Sequence, residues 1–489
     1  MRCSSLVLLV ALAAVALCDP IGQQYLQAQR HIDSSRFPAQ YVLQRLDHFN
    51  LADARTFAQR YYVNDDYWTG DMEAPIFLEI GCEGQLSGPG ADGDEISMMA
   101  EAHGGKVLGL EHRFYGESHP FGDLSRESLR YLNSRQALED VAQFIDFYDE
   151  LIHPDTHVSG VPRNQWVVIG GSYGGALSAW FRIKYPHLAA ASVASSGVVN
   201  CILDFTGFDQ QVALAMGTKC ANAVRTAVHY MERSLNSESE RKALLKQFGA
   251  DSGMDDGDFM YMIADAGVMA MQYGHYEECC DVMDAAWDEG SDLVDAYAQW
   301  LNNWWVPAMN PDGPSGYDRR VLGQGSKAPV ASEGGRQWWW QKCSEVAYYQ
   351  NAPKVGSLRS SKYVNMEYHH NMCASLFGDD FLTLFDTVAD FPVDGTNEHY
   401  GAVNTHGSKI VYTNYWQDPW HLASIPQSLS EDQPLLLAGN AAADGQGPDK
   451  NGCFNCGHCR DMHAPQDDDP AELTQLRQTV LSYIAEWLA

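Results

Sequence analysis

Basic residues are scarce in this chain of 489 residues. It has 32 lysines and arginines against 64 aspartates and glutamates, which gives a formal net charge of −32 at pH 7. This charge repels the phosphates of nucleic acids and the headgroups of anionic membranes. We therefore exclude DNA and RNA as partners. Hydrophobic residues make up 45% of the chain and charged residues only 20%, which is typical of a packed globular protein.

Long apolar segments are also missing. The run from Leu6 to Leu17 is too short to cross a bilayer, but it suits the core of a secretory signal peptide. Ala16 and Cys18 predict cleavage before Asp19, so that residues 1–18 are the signal peptide. No later segment has about 18 uninterrupted apolar residues. We expect an exported protein, secreted or delivered to a lysosome or vacuole, without stable membrane insertion.

Cysteines are few, and their number is even once the signal peptide is removed. Ten of the twelve remain, which in an exported chain favours disulfides, although the sequence does not assign the pairs. Cys453, Cys456 and Cys459 beside His458 also suggest a metal knuckle. That alternative needs a second ligand pair and a reducing compartment, and the sequence offers neither. We predict disulfides, with no metal and no organic cofactor.

Strand and helix patterns alternate in the first part of the chain. Short apolar runs, which fit strands buried on both faces of a parallel sheet, occur at 75–80, 106–110, 166–169 and 191–194. Between them, apolar residues recur at helical spacing from Ala137 to Tyr148, and a second helix is predicted over 176–185. This alternation predicts an α/β fold with a mostly parallel sheet, of which 19–199 is the first part.

The character of the sequence changes at about residue 200. Longer helical patterns and acidic loops fill residues 200–367, which we interpret as a mostly helical insertion. Strands are predicted again at 409–413 and 434–438, so residues 368–489 complete the first domain. The chain ends in a predicted helix with Asp469 as its N-cap and Pro470 at its first position.

One serine lies where such a fold places a nucleophile. Gly170-x-Ser172-x-Gly174 matches the nucleophile elbow, in which glycines allow a sharp turn from strand to helix. The pattern is short, but an apolar strand precedes it and a helix pattern follows it. Ser172 is therefore our candidate nucleophile, and the backbone N–H of Tyr173 is a candidate donor to the oxyanion.

A serine hydroxyl needs a base to take its proton, and the base needs a carboxylate to orient it. In this architecture the chain order is serine, acid, histidine, which excludes His112. Asp418 follows a late strand, and His458 follows the last one. From topology alone these two remain in competition with other residues, His421 and His463 being the alternative histidines.

Several segments together resemble the serine peptidase family of lysosomal Pro-Xaa carboxypeptidase and dipeptidyl-peptidase II. They are 44–49 (QRLDHF), 59–61 (QRY), 111–118 (EHRFYGES), 170–175 (GGSYGG), 418–420 (DPW) and 457–462 (GHCRDM). Two more, 192–196 (SVASS) and 336–338 (RQW), look closest to its thymus-specific serine protease branch.

The resemblance implies an α/β-hydrolase fold whose helical insertion caps the active site. It implies that Ser172, Asp418 and His458 are the catalytic triad and that peptides are the substrates, cleaved after proline. Trp420 matches a position that lines the proline pocket in relatives. The segment 81–84 resembles the family's Gly-x-Glu-Gly loop, so Glu83, or Cys82 before it, is the second candidate oxyanion donor. The alternative for Glu83 is a surface carboxylate.

The sequence leaves three functions open. The first is an exported serine exopeptidase acting on short peptides, as a carboxypeptidase or a dipeptidyl-peptidase. The second is a carboxylic ester hydrolase, because the same elbow and triad serve both reactions. The third is a non-catalytic binding protein. A homodimer is compatible with all three.

Overall fold

The structure is a computed structural model that describes residues 36–90, 93–324, 329–330, 334–381, 391–443 and 447–489. The predicted signal peptide, 1–18, lies outside these ranges. None of the helices described is long and apolar enough to cross a membrane.

Ten strands are defined within the described ranges. They are β1 (Gln40–Arg45), β2 (Thr56–Asn64), β3 (Ile76–Ile80), β4 (Lys106–Leu110), β5 (Trp166–Gly171), β6 (Ala191–Ser195), β7 (Ile202–Asp204), β8 (Ala347–Tyr349), β9 (Ile410–Tyr415) and β10 (Leu435–Ala438). Eight of them form one sheet in the order β1-β2-β4-β3-β5-β6-β9-β10. β2 is antiparallel to both of its neighbours, and all pairs from β4 to β10 are parallel.

The apolar runs of the sequence form the centre of this sheet. Every residue of β3, β6 and β9 is buried, as a parallel sheet covered on both faces requires. The edge strand β1 instead alternates between exposed and buried residues. The predicted α/β fold with a mostly parallel sheet is confirmed.

Fifteen α-helices are defined in the same ranges. They are α1 (Glu95–His103), α2 (Arg126–Leu129), α3 (Ser134–Ile152), α4 (Tyr173–Lys184), α5 (Thr206–Ser234), α6 (Glu238–Gln247), α7 (Asp256–Gln272), α8 (Tyr276–Glu289), α9 (Leu293–Trp300), α10 (Val306–Met309), α11 (Arg319–Gln324), α12 (Gly335–Gln341), α13 (Met366–Phe377), α14 (Phe391–Tyr400) and α15 (Ala471–Leu488). Single 3₁₀ turns occur at Gly313–Tyr317, Ala402–Asn404, Pro419–Ala423 and Arg460–Met462, and π-helical turns at Leu301–Trp305 and Lys342–Val346.

Two pairs of helices cover the sheet. α3 contacts α4, and these helices pack on β1, β3, β5 and β6. α1 contacts α15, and this pair packs on β3, β4, β6, β9 and β10. α3 begins where the side chain of Asn133 accepts a hydrogen bond from the backbone N–H of Gln136, which supplies the N-cap. Its apolar residues from Ala137 to Tyr148 face the core, as their spacing predicts.

The helices α5 to α14 lie between β6 and β9 in the chain. β7 and β8 form a separate parallel pair within this segment, in which Ile202 pairs with Ala347. We call the segment from β7 to α14 the cap. The predicted domain limits at residues 200 and 367 stay predictions, and the helices of the cap continue to Tyr400.

Three disulfides occur among the described residues, which confirms the prediction of disulfides. Cys220–Cys280 joins α5 to α8, Cys343–Cys373 joins the second π-helical turn to α13, and Cys453–Cys456 closes a short loop before His458. The last pair uses two of the three cysteines that the alternative metal knuckle would need.

The C-terminal helix differs from its prediction at its first turn. Pro470 occupies the N-cap position and α15 begins at Ala471, without a side-chain cap. The carboxylate of Asp469 instead accepts hydrogen bonds from Arg460 and Arg477, both at 2.6 Å. Two guanidinium groups are stronger donors than a backbone N–H, so Asp469 holds the preceding loop and does not cap the helix.

Candidate active site

Ser172 lies at the tight turn between β5 and α4. Its backbone has φ 59° and ψ −121°, a conformation that residues with a side chain rarely adopt. A Cβ added to Gly170 would lie 2.2 Å from the carbonyl oxygen of Gly174, so this close approach requires glycine. The backbone N–H of Ser172 donates to the carbonyl of Ser195 at the end of β6, at 2.8 Å. The strand, turn and helix predicted around Ser172 are all present.

Asp418 and His458 form a buried pair at the same end of the sheet. Asp418 follows β9 after a short turn, and His458 follows β10, two residues after the loop closed by the Cys453–Cys456 disulfide. Oδ2 of Asp418 lies 2.6 Å from Nδ1 of His458, and both side chains are fully buried. Oδ1 accepts from the backbone N–H of Trp420 at 3.0 Å, so both oxygens of the carboxylate are engaged.

This pair fixes the charge and the direction of the imidazole. Burial by itself disfavours the imidazolium, but the charge and hydrogen bond of Asp418, together with Cys459, outweigh it and raise the pKa of His458 well above its ordinary value. Because Nδ1 faces Asp418, Nε2 is the nitrogen left for chemistry. It is buried and has no hydrogen-bond partner within the described part of the chain.

The loop that carries His458 packs against the nucleophile elbow. The sulfur of Cys459 lies 3.7 Å from the carbonyl oxygen of Ser195, which also accepts from the N–H of Ser172. A Cβ added to Gly171 would lie 2.8 Å from the same sulfur. No hydrogen bond joins Ser172 to His458 in the described ranges, and such bonds are often long before substrate binds.

The competing histidines have other partners. Nδ1 of His421 lies 2.6 Å from the carbonyl oxygen of Asp418, and Nδ1 of His463 lies 3.3 Å from Nη1 of Arg460. His112 is buried with Nδ1 at 2.7 Å from the carbonyl oxygen of Arg113, and burial lowers its pKa to about 4. In this structure it is His458 whose ring contacts the carboxylate of Asp418.

The loop after β3 lies beside the elbow, where the second oxyanion donor is predicted. A Cβ added to Gly174 would lie 3.3 Å from the Cβ of Cys82, so this loop approaches the first turn of α4. Tyr173 is the first residue of α4, and its N–H therefore has no acceptor within the helix. Glu83 is completely buried, so its alternative interpretation as a surface carboxylate is wrong.

A buried ion pair that we did not predict anchors this loop. Arg60 on β2 donates to the carboxylate of Glu111 after β4, and both side chains are buried. The same carboxylate accepts from the backbone N–H of Leu86 at 3.0 Å and from the hydroxyl of Ser118 at 2.7 Å. Arg60 directly precedes the apolar run Tyr61-Tyr62-Val63, and this is the signal that could have revealed the pair, because a charge buried with such a run requires a partner.

A second buried network supports the next loop. Asp140 on α3 accepts from Nε and Nη2 of Arg113, both at 2.6 Å, and Nε2 of His48 lies 2.7 Å away. Burial alone would raise the pKa of Asp140, but these partners outweigh it and lower the pKa below its usual value. The segments 44–49 and 111–118 thus meet at one carboxylate, although they are far apart in the sequence.

Trp420 lies between His458 and the cap. It is buried, its indole N–H donates to Oε1 of Gln272 at 3.0 Å, and its ring centroid lies 6.4 Å from that of His458. It forms one wall of a cavity that Trp338 and Trp339 also line. Trp340 packs against Phe377 and does not line that cavity.

These features define a class of protein: an α/β hydrolase with a helical cap, in which the loop that carries a buried histidine–aspartate pair packs against a strained turn that bears a serine. The sequence pattern of the family described as "Serine carboxypeptidase S28" matches residues 44–480. The chain therefore belongs to this family, and it is a serine-type peptidase.

Individual relatives agree with this assignment. The chain is 36% identical to the probable serine protease EDA2 of Arabidopsis thaliana, over 91% of this chain and 88% of that one. It is 30% identical to the thymus-specific serine protease of Mus musculus, over 92% and 87% of the two chains. The lysosomal Pro-X carboxypeptidase of the same species is 26% identical, over 100% and 98%. The predicted resemblance to this family, and to its thymus-specific branch more than to the lysosomal enzyme, is confirmed.

Proposed function

We propose that this peptidase is an exopeptidase that cleaves short peptides through Ser172, His458 and Asp418. The observation that carries the proposal is the buried contact of 2.6 Å between His458 and Asp418, on a loop that packs against the turn bearing Ser172. Each residue has the chemistry that its role requires.

The reaction proceeds through an acyl-enzyme. Oγ of Ser172 attacks the scissile carbonyl while Nε2 of His458 takes the hydroxyl proton. Asp418 holds the ring in the correct tautomer and stabilises the imidazolium that forms. His458 then gives the proton to the leaving amine, and a water molecule activated by the same nitrogen releases the acyl group.

The negative oxygen of the tetrahedral intermediate needs two donors. We propose the N–H of Tyr173 as one and the N–H of Cys82 or Glu83 as the other, because the loop after β3 lies against the elbow. The carboxylate of Glu83 is buried, so any contribution of this residue to the oxyanion site would come from its backbone N–H.

The aromatic wall at Trp420 suits a flat apolar ring, so we propose that proline occupies it in the substrate. The cap covers the site and restricts entry to short peptides or chain ends. We also propose export to the outside of the cell or to a lysosome or vacuole, on the basis of residues 1–18 and the disulfides.

A fluorophosphonate that reacts with activated serines tests the nucleophile. We expect one adduct per molecule, located on Ser172 by peptide mass mapping, and none in Ser172→Ala. Ser178→Ala is a matched control, because Ser178 is a buried serine in the helix that follows Ser172, and its Oγ lies 2.9 and 2.8 Å from the carbonyl oxygens of Gly175 and Val193. An adduct on another serine, or no adduct at all, would contradict the proposal.

Peptides blocked at one end and then at the other test the mode of cleavage. A carboxypeptidase cleaves the peptide blocked at its N-terminus, whereas a dipeptidyl-peptidase cleaves the one blocked at its C-terminus. Faster turnover of simple acyl esters than of every proline-containing peptide would instead favour the ester hydrolase.

A further inference from the structure

Gln272 connects the cap to the loop that carries His458. It is the last residue of α7 and is buried. The carbonyl groups in the last turn of a helix have no partner within the helix, and that of Gln272 accepts the backbone N–H of His458 at 2.6 Å. The side chain makes a second contact with the site, since its Oε1 accepts the indole N–H of Trp420 at 3.0 Å.

The backbones of α7 and of the His458 loop lie in direct contact. A Cβ added to Gly457 would lie 2.4 Å from the carbonyl oxygen of Gln272, and one added to Gly274 would lie 2.1 Å from that of Asn455. Real side chains do not make contacts this short, so both positions require glycine. This packing holds the carbonyl of Gln272 against the N–H of His458.

Two further hydrogen bonds close a network of four residues. Trp420 donates its backbone N–H to Oδ1 of Asp418 at 3.0 Å, and Oδ2 of Asp418 lies 2.6 Å from Nδ1 of His458. The contacts thus run from Gln272 to His458, to Asp418, to Trp420 and back to Gln272. All four residues are buried. Gln272 is the member that belongs to the cap, and it takes part with both its backbone and its side chain.

The contribution of the Gln272 side chain depends on its amide oxygen. An indole N–H only donates, so the oxygen of the amide must face Trp420. The amide nitrogen Nε2 is buried and has no hydrogen-bond partner among the described residues. A buried donor without a partner costs stability, and an apolar side chain of the same length would avoid that cost. We therefore attribute the value of this amide to its oxygen.

Aromatic contacts alone do not fix the orientation of Trp420. Phe208 and Tyr348 pack edge-on against its side chain, with ring centroids 4.9 and 5.5 Å from that of the indole. An indole turned by half a revolution would still be in apolar surroundings, but it would bury its N–H without this acceptor. The hydrogen bond to Gln272 thus selects one orientation of the residue whose backbone N–H holds Asp418.

We propose that Gln272 is a positioning residue for the reaction. The inference rests on the proposed function, in which His458 is the base and Asp418 its partner. Through the closed network, Gln272 holds the imidazole and the carboxylate in their reactive orientation and ties them to Trp420, the wall on which we place the proline of the substrate. Small displacements of catalytic groups cost large factors in rate, so loss of the amide oxygen should lower kcat and leave KM nearly unchanged.

Gln272→Met removes the amide oxygen and keeps the length of the side chain. We expect kcat, expressed per serine labelled by the fluorophosphonate at completion, to fall about tenfold on every peptide that the wild type cleaves, with KM changed by less than about twofold. Gln247→Met is the matched control and should leave kcat as in the wild type. Gln247 is also the last residue of a cap helix, but its side chain donates to Asp295. An unchanged kcat in Gln272→Met, with or without a rise in KM, would overturn the inference.

A double-mutant comparison tests the link to Trp420. Trp420→Phe removes the indole N–H, so Gln272→Met has no side-chain hydrogen bond left to break in that background. We expect its effect on kcat to shrink from about tenfold to less than about twofold. Equal effects in the two backgrounds would overturn the inference. If Gln272→Met does not fold, Gln272→Asn replaces it with the same expectations, because its amide is one methylene too short to reach the indole.

Fluorophosphonate labelling separates this inference from the proposed function. Labelling of Ser172 in the wild type with an unchanged kcat in Gln272→Met would overturn the inference alone. Absence of labelling in the wild type would overturn both. Because kcat is expressed per labelled serine, partial unfolding of a variant does not change the conclusion.

Discussion

The catalytic end of the sheet and the cap hold their buried charges in different ways. At the sheet, both carboxylate oxygens of Asp418 have hydrogen-bond partners. The carboxylate of Asp140 accepts two hydrogen bonds from Arg113 and also contacts His48. In the cap cavity, Lys342 lies among aromatic rings and a tyrosine hydroxyl. The sheet thus carries groups whose geometry is fixed for one reaction.

This difference indicates where reaction and selectivity lie. The proposed nucleophile, base and acid, Ser172, His458 and Asp418, follow β5, β10 and β9, which are neighbours or near neighbours in one sheet. The lining of the cavity comes from α7, α12, α13 and the segments between them, together with Trp420 after β9. The disulfide Cys343–Cys373 joins the turn after α12 to α13. Substitutions at the sheet should therefore change the rate for every peptide, and substitutions in the cavity should change the preference among peptides.

The largest effect should follow removal of the nucleophile. We expect Ser172→Ala to lower kcat by at least about 10⁴-fold on every peptide, because no other group can form the acyl-enzyme. The fold should persist, since one hydroxyl at a turn contributes little to packing. Steady-state kinetics and thermal unfolding measure the two quantities. If the variant unfolds, Ser172 has a structural role. Its loss of activity would then not show that substitutions at the sheet act on the reaction itself.

The second effect concerns Asp418 and pH. Only neutral imidazole accepts a proton, and Asp418 raises the pKa of His458 above its ordinary 6.5. The wild-type activity should therefore rise with pH, with an acid limb above pH 6.5. Asp418→Asn should lower kcat by roughly 10³–10⁴-fold and move the limb to lower pH, because the imidazolium loses its counter-charge. Profiles of kcat/KM against pH measure both changes.

An acid limb below pH 6.5 in the wild type would contradict this view of the pair. Folding of Asp418→Asn is checked by thermal unfolding at each pH.

The third effect is on stability and belongs to the sheet. Asp140→Asn leaves the buried guanidinium of Arg113 without its counter-charge, which should lower the free energy of unfolding by about 3–5 kcal/mol. Denaturant titration measures it. Asp288→Asn removes the partner of exposed Lys219 in the cap and should have a much smaller effect. Equal decreases in the free energy of unfolding for the two variants would contradict this. They would show that the buried ion pair at the sheet stabilises the protein no more than the exposed pair on the cap.

The smallest effect is the contribution of Glu95 to the pH dependence of the free energy of unfolding. This carboxyl group on α1 is buried, and burial together with Asp461 raises its pKa well above 4.5. The folded state therefore retains a proton that the unfolded chain releases. The associated stability is present at pH values below 4.5 and is lost as pH rises through the folded pKa, at up to about 1.4 kcal/mol per pH unit.

Glu95→Gln should remove that loss, so its free energy of unfolding should decline less steeply with rising pH than that of the wild type. Denaturant titrations at a series of pH values from 5 to 9 measure the two slopes. Glu240→Gln, at an exposed position of α6, is the control and should follow the wild type. If the free energy of unfolding falls equally steeply with pH in Glu95→Gln and in the wild type, Glu95 is not the source of that pH dependence.

Much of the sheet was predictable because its signals are local. The bounds of β4 match the apolar run at 106–110, and β5, the turn at Ser172 and α4 follow in the predicted order. The start of α15 was not predictable in the same way. An aspartate before a proline is a good local N-cap, but Asp469 meets Arg460 and Arg477, whose positions depend on the folded chain.

Candidates for the site were also available from the sequence, yet their partners were not. The pattern at 170–174 identifies Ser172, whereas topology alone does not separate His458 from His421 and His463. The burial of Glu83 and the pair Arg60–Glu111 were missed, because contact between residues of different strands leaves no periodic signal along the chain.

The alternation of strand and helix, the sharp turn at Ser172 and the membership of a peptidase family can all be inferred from the amino-acid sequence. These depend on backbone preferences and short motifs that neighbouring residues specify. The tertiary structure alone decided that His458 faces Asp418 and that the ammonium of Lys342 lies in the wall of the cavity beside Trp420. Such contacts join residues dozens of positions apart, and only the packing of the chain brings them within hydrogen-bond distance.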